Sequence, residues 1–233
     1  MIDQHPDATC LGEVLHLDNT TAQQHWKMHA GRKSKRLRES KRFTNIEMAI
    51  SEIEATYPMS KVCGFKMLYP QMKFDEVRGP IRVIHLTRDP VECAASIHLA
   101  LATGNWHKTA PGFKSLWVDG STKSRSISLD PELFRNYLVQ WNRADSAVRS
   151  IVDADILHLD YSQLTEDFLA CSQIVYTWLE LDLAFKPEIA VLKSSPPCKD
   201  YLDNYKEIRE LADGYKKEAP CGTELPNWTK LYR

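Results

Sequence analysis

The sequence predicts an α/β fold, a three-layer sandwich whose central sheet is mostly parallel. Residues 81–86 form a short apolar run rich in β-branched side chains, which is typical of a strand covered on both faces. Apolar residues then recur at helical spacing over residues 91–102. The same order of strand and helix returns over residues 155–161 and 162–181, and such alternation favours parallel strands connected by helices.

The turn between the first of these strands and its helix carries the candidate chemistry. Asp89 is a good N-cap residue, and Pro90 suits the first helical turn because its missing N–H costs nothing there. Arg88 would lie at the carboxyl end of the strand, where open α/β sheets bind ligands. Ser96 follows about two helical turns later. A guanidinium and a hydroxyl placed in this way can hold one phosphate, and the alternative is a surface Arg–Asp pair with a solvated serine.

Four further elements are predicted around this unit. Thr44 and Asn45 cap a helix that begins at residue 46, and residues 61–69 form a second strand. A long helix starts at Asp130 and Pro131, and a last helix covers residues 200–212. The long helix has a core stripe at helical spacing, formed by Leu133, Tyr137, Leu138, Trp141, Ala144, Val148 and Ile151.

Composition favours one globular domain over residues 1–215, followed by an irregular tail over residues 216–233. The chain has 233 residues, of which 43% are hydrophobic and 26% charged. Its net charge of −1 does not favour a nucleic-acid partner. The basic stretch at residues 32–42 is expected to be a solvated surface, with a rim that attracts an anion as the alternative.

The cysteines and the hydropathy pattern indicate a cytoplasmic protein. The six cysteines are scattered, without the spacing of a zinc site, so reduced thiols and no bound metal are expected. No apolar run approaches the roughly 18–20 residues of a membrane span, and no signal peptide is visible.

The motif Arg88-Asp-Pro-x-Glu-x-x-x-Ser96 resembles the 3′-phosphate-binding element of sulfotransferases that use 3′-phosphoadenosine-5′-phosphosulfate (PAPS). Residues 100–107, Ala-Leu-Ala-Thr-Gly-Asn-Trp-His, resemble the bacterial carbohydrate branch, the trehalose and nodulation-factor sulfotransferases. Three other segments resemble that family in the same order along the chain: Cys10-Leu-Gly-Glu-Val14, Gly64-Phe-Lys-Met67 with Gln71, and Leu157-His-Leu-Asp-Tyr-Ser-Gln-Leu164.

The resemblance implies a P-loop-like sulfotransferase fold that lacks its first β-loop-α unit. In the family that unit carries the loop that cradles the 5′-phosphosulfate, and the sequence, which begins at Met1, contains no such Gly-rich loop. We therefore expect an N-terminally truncated member. The implied reaction moves a sulfuryl group from PAPS, the co-substrate, to a hydroxyl of a carbohydrate or glycolipid.

The resemblance also assigns roles to individual residues. Glu13 would be the base for the acceptor hydroxyl, and Lys66 would steady developing negative charge. The donor would be bound by Arg88, Ser96 and Tyr161, and the acceptor by Gln71, Trp106 and His107. Five of these residues have a structural alternative: Glu13 as a surface glutamate, Lys66 in an ion pair at the core edge, Tyr161 and Trp106 as packing residues, and His107 as a solvated loop residue.

A second function is left open by the missing phosphosulfate loop. The chain could be a non-catalytic nucleotide-binding or interaction protein derived from the same family. In either case the expected partner is a small molecule or glycan, and the oligomeric state is open, a homodimer included.

Overall fold

The computed structural model describes residues 2–11, 46–67, 81–103, 108–109, 126–151, 153–188, 191–192 and 197–215. Several sequence predictions lie outside the described residues, namely Glu13, Gln71, Trp106, His107, the basic stretch 32–42 and the tail 216–233.

Six α-helices and six short strands form the regular structure of the described residues. The strands are β1 (Ala8–Leu11), β2 (Val62–Phe65), β3 (Arg82–Thr87), β4 (Lys108–Thr109), β5 (Asp155–Asp160) and β6 (Val191–Leu192). The helices are α1 (Ile46–Thr56), α2 (Pro90–Thr103), α3 (Pro131–Arg149), α4 (Tyr161–Glu166), α5 (Phe168–Trp178) and α6 (Tyr205–Tyr215). Single 3₁₀ turns cover Ile2–Gln4 and Cys198–Asp200. None of the described helices has both the length and the apolar composition that crossing a membrane requires.

The described strands pair in three two-stranded sheets. β1 and β2 are parallel, with Ala8 opposite Val62 and Leu11 opposite Phe65. β3 and β5 also run in parallel, because the Asp155 amide donates to the Ile81 carbonyl at one end (3.1 Å) and the Thr87 hydroxyl donates to the Leu159 carbonyl at the other (3.2 Å). β4 and β6 are antiparallel. The α/β class is thus confirmed, whereas the three-layer sandwich stays a prediction.

The chain divides into two compact units. The first comprises Met1–Val83, Ile151–Leu157 and Asp167–Glu188, and the second Ile84–Ser150, His158–Glu166 and Ile189–Arg233. In the second unit, α2, α3, α6 and the 3₁₀ turn pack around a buried cluster formed by Val91, Ala94, Ala95, Leu129, Phe134, Leu138, Cys198, Tyr201, Leu202, Ile208 and Ala212. The single domain over residues 1–215 stays a prediction.

The first unit has its own buried side chains. Ala49 and Ile53 of α1 are fully buried, as is Val175 of α5. The imidazole of His5 is also buried, edge-on to the ring of Tyr176 at 5.0 Å between centroids. Its Nε2 donates to the carbonyl of Asp182 (3.1 Å) while its Nδ1 accepts the amide of Asp7 (3.1 Å), so both nitrogens are satisfied.

Two predictions about buried side chains are wrong in part. On α3, Leu138, Ala144 and Val148 are buried as predicted, but Leu133 is 46% exposed and its neighbour Phe134 is buried instead. The core face therefore includes the larger aromatic ring, which stacks on Tyr137 at 6.1 Å. β3 is not a uniformly buried apolar strand either, because Leu86 is 44% exposed whereas His85 is buried.

Two helix boundaries also differ from the prediction. Residues 162–181 form two helices rather than one, because Asp167 interrupts them and caps α5 by accepting the amide of Ala170 at 2.9 Å. The last helix begins at Tyr205 rather than at residue 200. The Asn204 side chain bonds both backbone groups of Leu129, accepting from its amide (3.1 Å) and donating to its carbonyl (2.8 Å).

Candidate functional site

The corner between β3 and α2 is held in place by the N-cap of the helix. The Asp89 carboxylate accepts the backbone amides of Val91 and Glu92, both at 3.0 Å, which confirms the predicted cap. Pro90 begins α2, as the sequence indicated. Arg88 thus sits between the last residue of a strand and a capped helix, at the carboxyl end of β3.

Arg209 of α6 is the charge partner of the cap. Its Nη1 and Nη2 donate to the two Asp89 carboxylate oxygens at 2.7 and 3.0 Å, in the forked geometry that suits a guanidinium. Burial acts to raise the pKa of Asp89, but the bonds from Arg209 and from the two helix amides outweigh burial and lower it. The same bond with Asp89 raises the pKa of Arg209. The sequence left open a surface pair between Arg88 and Asp89. In the structure, Asp89 is paired with Arg209 instead, which is distant in the sequence.

Arg88 is held on two sides. Its Nη2 donates to Glu92 Oε2 at 3.3 Å, and its Cζ lies 4.7 Å from the centroid of the Tyr161 ring. The Arg88 side chain is 21% exposed. Because a guanidinium carries five N–H groups, the bond to Glu92 leaves room for a forked contact with a phosphate or sulfate.

Glu92 connects this corner to the 3₁₀ turn that follows Pro197. Its Oε1 accepts the backbone amide of Cys198 at 3.1 Å, while its Oε2 accepts from Arg88. Burial, followed by the hydrogen bond and the charge of Glu92, raises the pKa of the Cys198 thiol to about 12. The thiol is therefore protonated at neutral pH and cannot serve as a nucleophile.

The structure brings together two of the predicted site residues, Arg88 and Tyr161. Tyr161 is the first residue of α4 rather than the last residue of the strand. Ser96 is half-buried on α2, the helix that Arg88 precedes. Lys66 is exposed directly after β2 and belongs to the first unit. Glu13, Gln71, Trp106 and His107 are not among the described residues.

A second polar cluster lies further back on the same two strands. The Nδ1 atoms of His85 and His158 are 3.2 Å apart, and His85 Nε2 is 3.7 Å from Asp145 Oδ1. Arg149 donates to the other oxygen of Asp145 at 2.8 Å. Burial is the main cause that lowers the pKa of His85; Asp145 opposes it, whereas His158 and Arg149 act with it.

Sequence reasoning missed five residues of these two clusters: Arg209, Asp145, Arg149, His85 and His158. A signal for the histidines was present, because each stands one residue before the last leucine of an apolar strand, in Val-Ile-His-Leu and Ile-Leu-His-Leu. Nothing local marks Arg209, which lies 120 residues from Asp89. Within the described ranges, no three or more His, Cys, Asp and Glu side chains gather in a way that could hold a metal ion.

Comparisons of this chain with protein-family models, with curated proteins and with solved structures give no match. The resemblance to sulfotransferases therefore remains a prediction, carried by the motif residues themselves.

Proposed function

We propose that this chain binds a 3′-phosphoadenosine nucleotide at Arg88 and acts as a PAPS-dependent sulfotransferase on a hydroxyl of a carbohydrate or glycolipid. The same proposal includes a three-layer sandwich with the P-loop-like sulfotransferase fold. It also includes a location in the cytoplasm.

The observation that carries the proposal is the fixed position of Arg88. The guanidinium lies at the carboxyl end of a parallel strand, where α/β sheets bind ligands, and it is stacked on one side against Tyr161. Asp89, the nearest carboxylate in sequence, is neutralised by Arg209 and so does not take the charge of Arg88. A half-buried cation held in this way is prepared to bind an anion, because little side-chain freedom is lost on binding.

Glu92 would influence the affinity of Arg88 for a phosphate in two opposing ways. Its carboxylate lies against Arg88 and would repel an incoming phosphate, but it also holds the guanidinium in one orientation. The distance of 3.3 Å is long for a charge-assisted hydrogen bond, so a dianionic phosphate can compete for the guanidinium. Ser96, on the same helix, would add a hydroxyl to the phosphate, as the motif implies.

The proposed reaction is an in-line displacement. The acceptor oxygen bonds to sulfur, and the bond from sulfur to the bridging phosphate oxygen breaks, which releases adenosine 3′,5′-bisphosphate. The acceptor proton passes to Glu13, and Lys66 balances charge on the leaving phosphate. Tyr161 would flank the adenine, and Gln71, Trp106 and His107 would position the acceptor. The roles of Glu13, Lys66, Gln71, Trp106 and His107 rest on the resemblance alone.

Two measurements made together test the proposal and its alternative. We would titrate the chain with adenosine 3′,5′-bisphosphate by calorimetry and follow transfer of ³⁵S from labelled PAPS to a panel of oligosaccharides and glycolipids. Binding with transfer supports the enzyme. Binding without transfer to any acceptor selects the non-catalytic nucleotide-binding protein, and absence of binding at millimolar nucleotide removes both.

A further inference from the structure

Two side-chain pairs join the ends of β3 and β5 in one register. His85 faces His158. Three residues after each histidine, the guanidinium of Arg88 lies over the ring of Tyr161. Between them the Thr87 hydroxyl bonds the carbonyl of Leu159. The histidine pair therefore lies on the same two strands that present Arg88 and Tyr161, three residues before each of them along the chain.

The arrangement of nitrogen atoms restricts where protons can lie. With Nδ1 atoms 3.2 Å apart, a single hydrogen fits between the rings, so one histidine donates and the other accepts. His85 Nε2 lies 3.7 Å from the carboxylate of Asp145, whose negative charge favours a hydrogen on that nitrogen and therefore favours Nδ1 as the acceptor. His158 is then the donor through Nδ1.

We propose that the pair of His85 and His158 is a proton-operated lock on the ends of β3 and β5. The lock is closed when both imidazoles are neutral and opens when both are protonated, because two N–H groups and two positive charges then face each other. Through the shared register, its opening displaces Arg88 from the ring of Tyr161.

The surroundings of the pair decide how protonation proceeds. The titratable and charged groups that face His85 among the described residues are His158 from β5 and both Asp145 and Arg149 from α3. Asp145 favours a first proton on His85, but it is already paired with Arg149 at 2.8 Å. Burial of His85, whose side chain is 4% exposed, opposes any charge.

Protonation of His85 should destabilise the folded chain. In the unfolded chain His85 takes up a proton near its ordinary pKa of 6.5, whereas in the folded chain burial lowers that pKa. The unfolded state therefore binds more protons below about pH 6.5, and folding loses stability as the pH falls through that range. Above about pH 7.5 the contribution of the pair is complete.

The tautomers give a direct test. Long-range ¹H–¹⁵N spectra of ¹⁵N-histidine-labelled protein at pH 7.5 should show His158 as the Nδ1–H tautomer and His85 as the Nε2–H tautomer, each assigned by its Gln variant. A histidine side chain without a hydrogen-bond partner favours the Nε2–H tautomer, so the Nδ1–H tautomer of His158 would report the contact with His85. Observation of His158 as an ordinary Nε2–H ring together with His85 as Nε2–H leaves no hydrogen between the rings and overturns the proposal.

Urea unfolding of the whole chain supplies the second test. We would measure a double-mutant cycle between His85→Gln and His158→Ala at pH 7.5 and pH 5.0. The expected coupling is about fivefold in the folding equilibrium constant at pH 7.5, the size of one hydrogen bond, and smaller at pH 5.0. His98, a half-buried histidine of α2, provides the matched control, because His98→Gln should be additive with His158→Ala at both pH values. Coupling that does not change with pH contradicts the lock.

The third measurement connects the lock to Arg88. Ring resonances of Tyr161, assigned with Tyr161→Phe, should shift with the same pH midpoint as the ring resonances of His85 in the wild type. In His158→Ala, whose substituted side chain is exposed and compatible with folding, that midpoint should be absent. Persistence of the same midpoint in this variant shows that another group moves Tyr161 and overturns the link. None of these readouts depends on the nucleotide, so the lock can fail while the proposed function stands.

Discussion

The guanidinium of Arg88 lies over the ring of Tyr161, with Cζ 4.7 Å from the ring centroid. Arg88 directly follows β3 and Tyr161 directly follows β5, so the contact depends on the parallel pairing of the two strands. It places a charge of fixed orientation at the edge where a ligand of this sheet would bind.

Two substitutions of Tyr161 distinguish the contribution of its aromatic ring from that of its hydroxyl. Tyr161→Phe keeps the face under Arg88 and should leave stability and nucleotide affinity within about twofold. Tyr161→Leu removes it and should cost about 0.5–1 kcal/mol of unfolding free energy and weaken adenosine 3′,5′-bisphosphate binding about threefold or more. Urea unfolding and calorimetry provide the two measurements. Equal affinities for the Phe and Leu variants would show that the ring does not position Arg88.

Asp89 and Asp130 form a matched pair of helix caps. Each accepts the amides two and three residues ahead and precedes a proline, but Asp89 alone of the two is shown bonded to an arginine. Asp130→Ala should therefore cost about 1 kcal/mol, the usual value of a cap. Asp89→Ala should cost about 2–4 kcal/mol, because charge-assisted bonds to Arg209 are lost as well. Equal losses in urea unfolding would mean that Arg209 contributes nothing.

The free energy of unfolding at low pH should report on the ion pair between Asp89 and Arg209. Because the pKa of Asp89 lies below its ordinary 3.8 in the folded chain, its contribution is complete well above that value and is lost as the pH falls through the folded pKa. The stability gap between wild type and Arg209→Gln should thus be constant above about pH 5 and close below about pH 4. Lys61→Gln, which breaks the exposed pair with Asp7, should leave stability almost unchanged. A gap that does not narrow between pH 5 and pH 3 would assign the loss to packing of Arg209 instead.

Cys198 should be inert in the folded protein. With its pKa raised to about 12, the thiolate fraction at pH 8 is on the order of a thousandfold below that of an ordinary thiol. Iodoacetamide labelling at pH 8, mapped by mass spectrometry, should leave Cys198 unmodified in buffer and modify it in 8 M urea. Cys93, half-buried on α2, is the internal comparison. Rapid labelling of Cys198 in buffer would contradict the burial of the 3₁₀ turn.

Local sequence signals predicted the elements that depend on local chemistry. The cap at Asp89, the proline start of α2 and the start of α3 at Asp130 and Pro131 are each decided by a few neighbouring residues, and each is confirmed. The break at Asp167 and the start of α6 were missed, because a single cap within a periodic stretch carries less signal than the periodicity.

Partners that are distant in sequence could not be predicted in the same way. Arg88 was identified from its position after a strand, but its contacts with Glu92 and Tyr161 depend on helix rotation and strand pairing. Likewise Phe134 rather than Leu133 faces the core, because periodicity determines a helical face only to within about one residue. The pairs between Asp89 and Arg209 and between His85 and His158 arise from tertiary packing.

The central claim is that Arg88 recognises the 3′-phosphate, and Arg82 offers a matched control for it. Arg82 begins β3, pairs with Glu180 and lies over the ring of Trp178 at 5.8 Å, so it has the same kinds of contact at the opposite end of the strand. Calorimetric titration with adenosine 3′,5′-bisphosphate should show at least about tenfold weaker binding for Arg88→Ala and unchanged binding for Arg82→Ala. Unchanged binding in Arg88→Ala, or equal losses in both variants, would contradict the account.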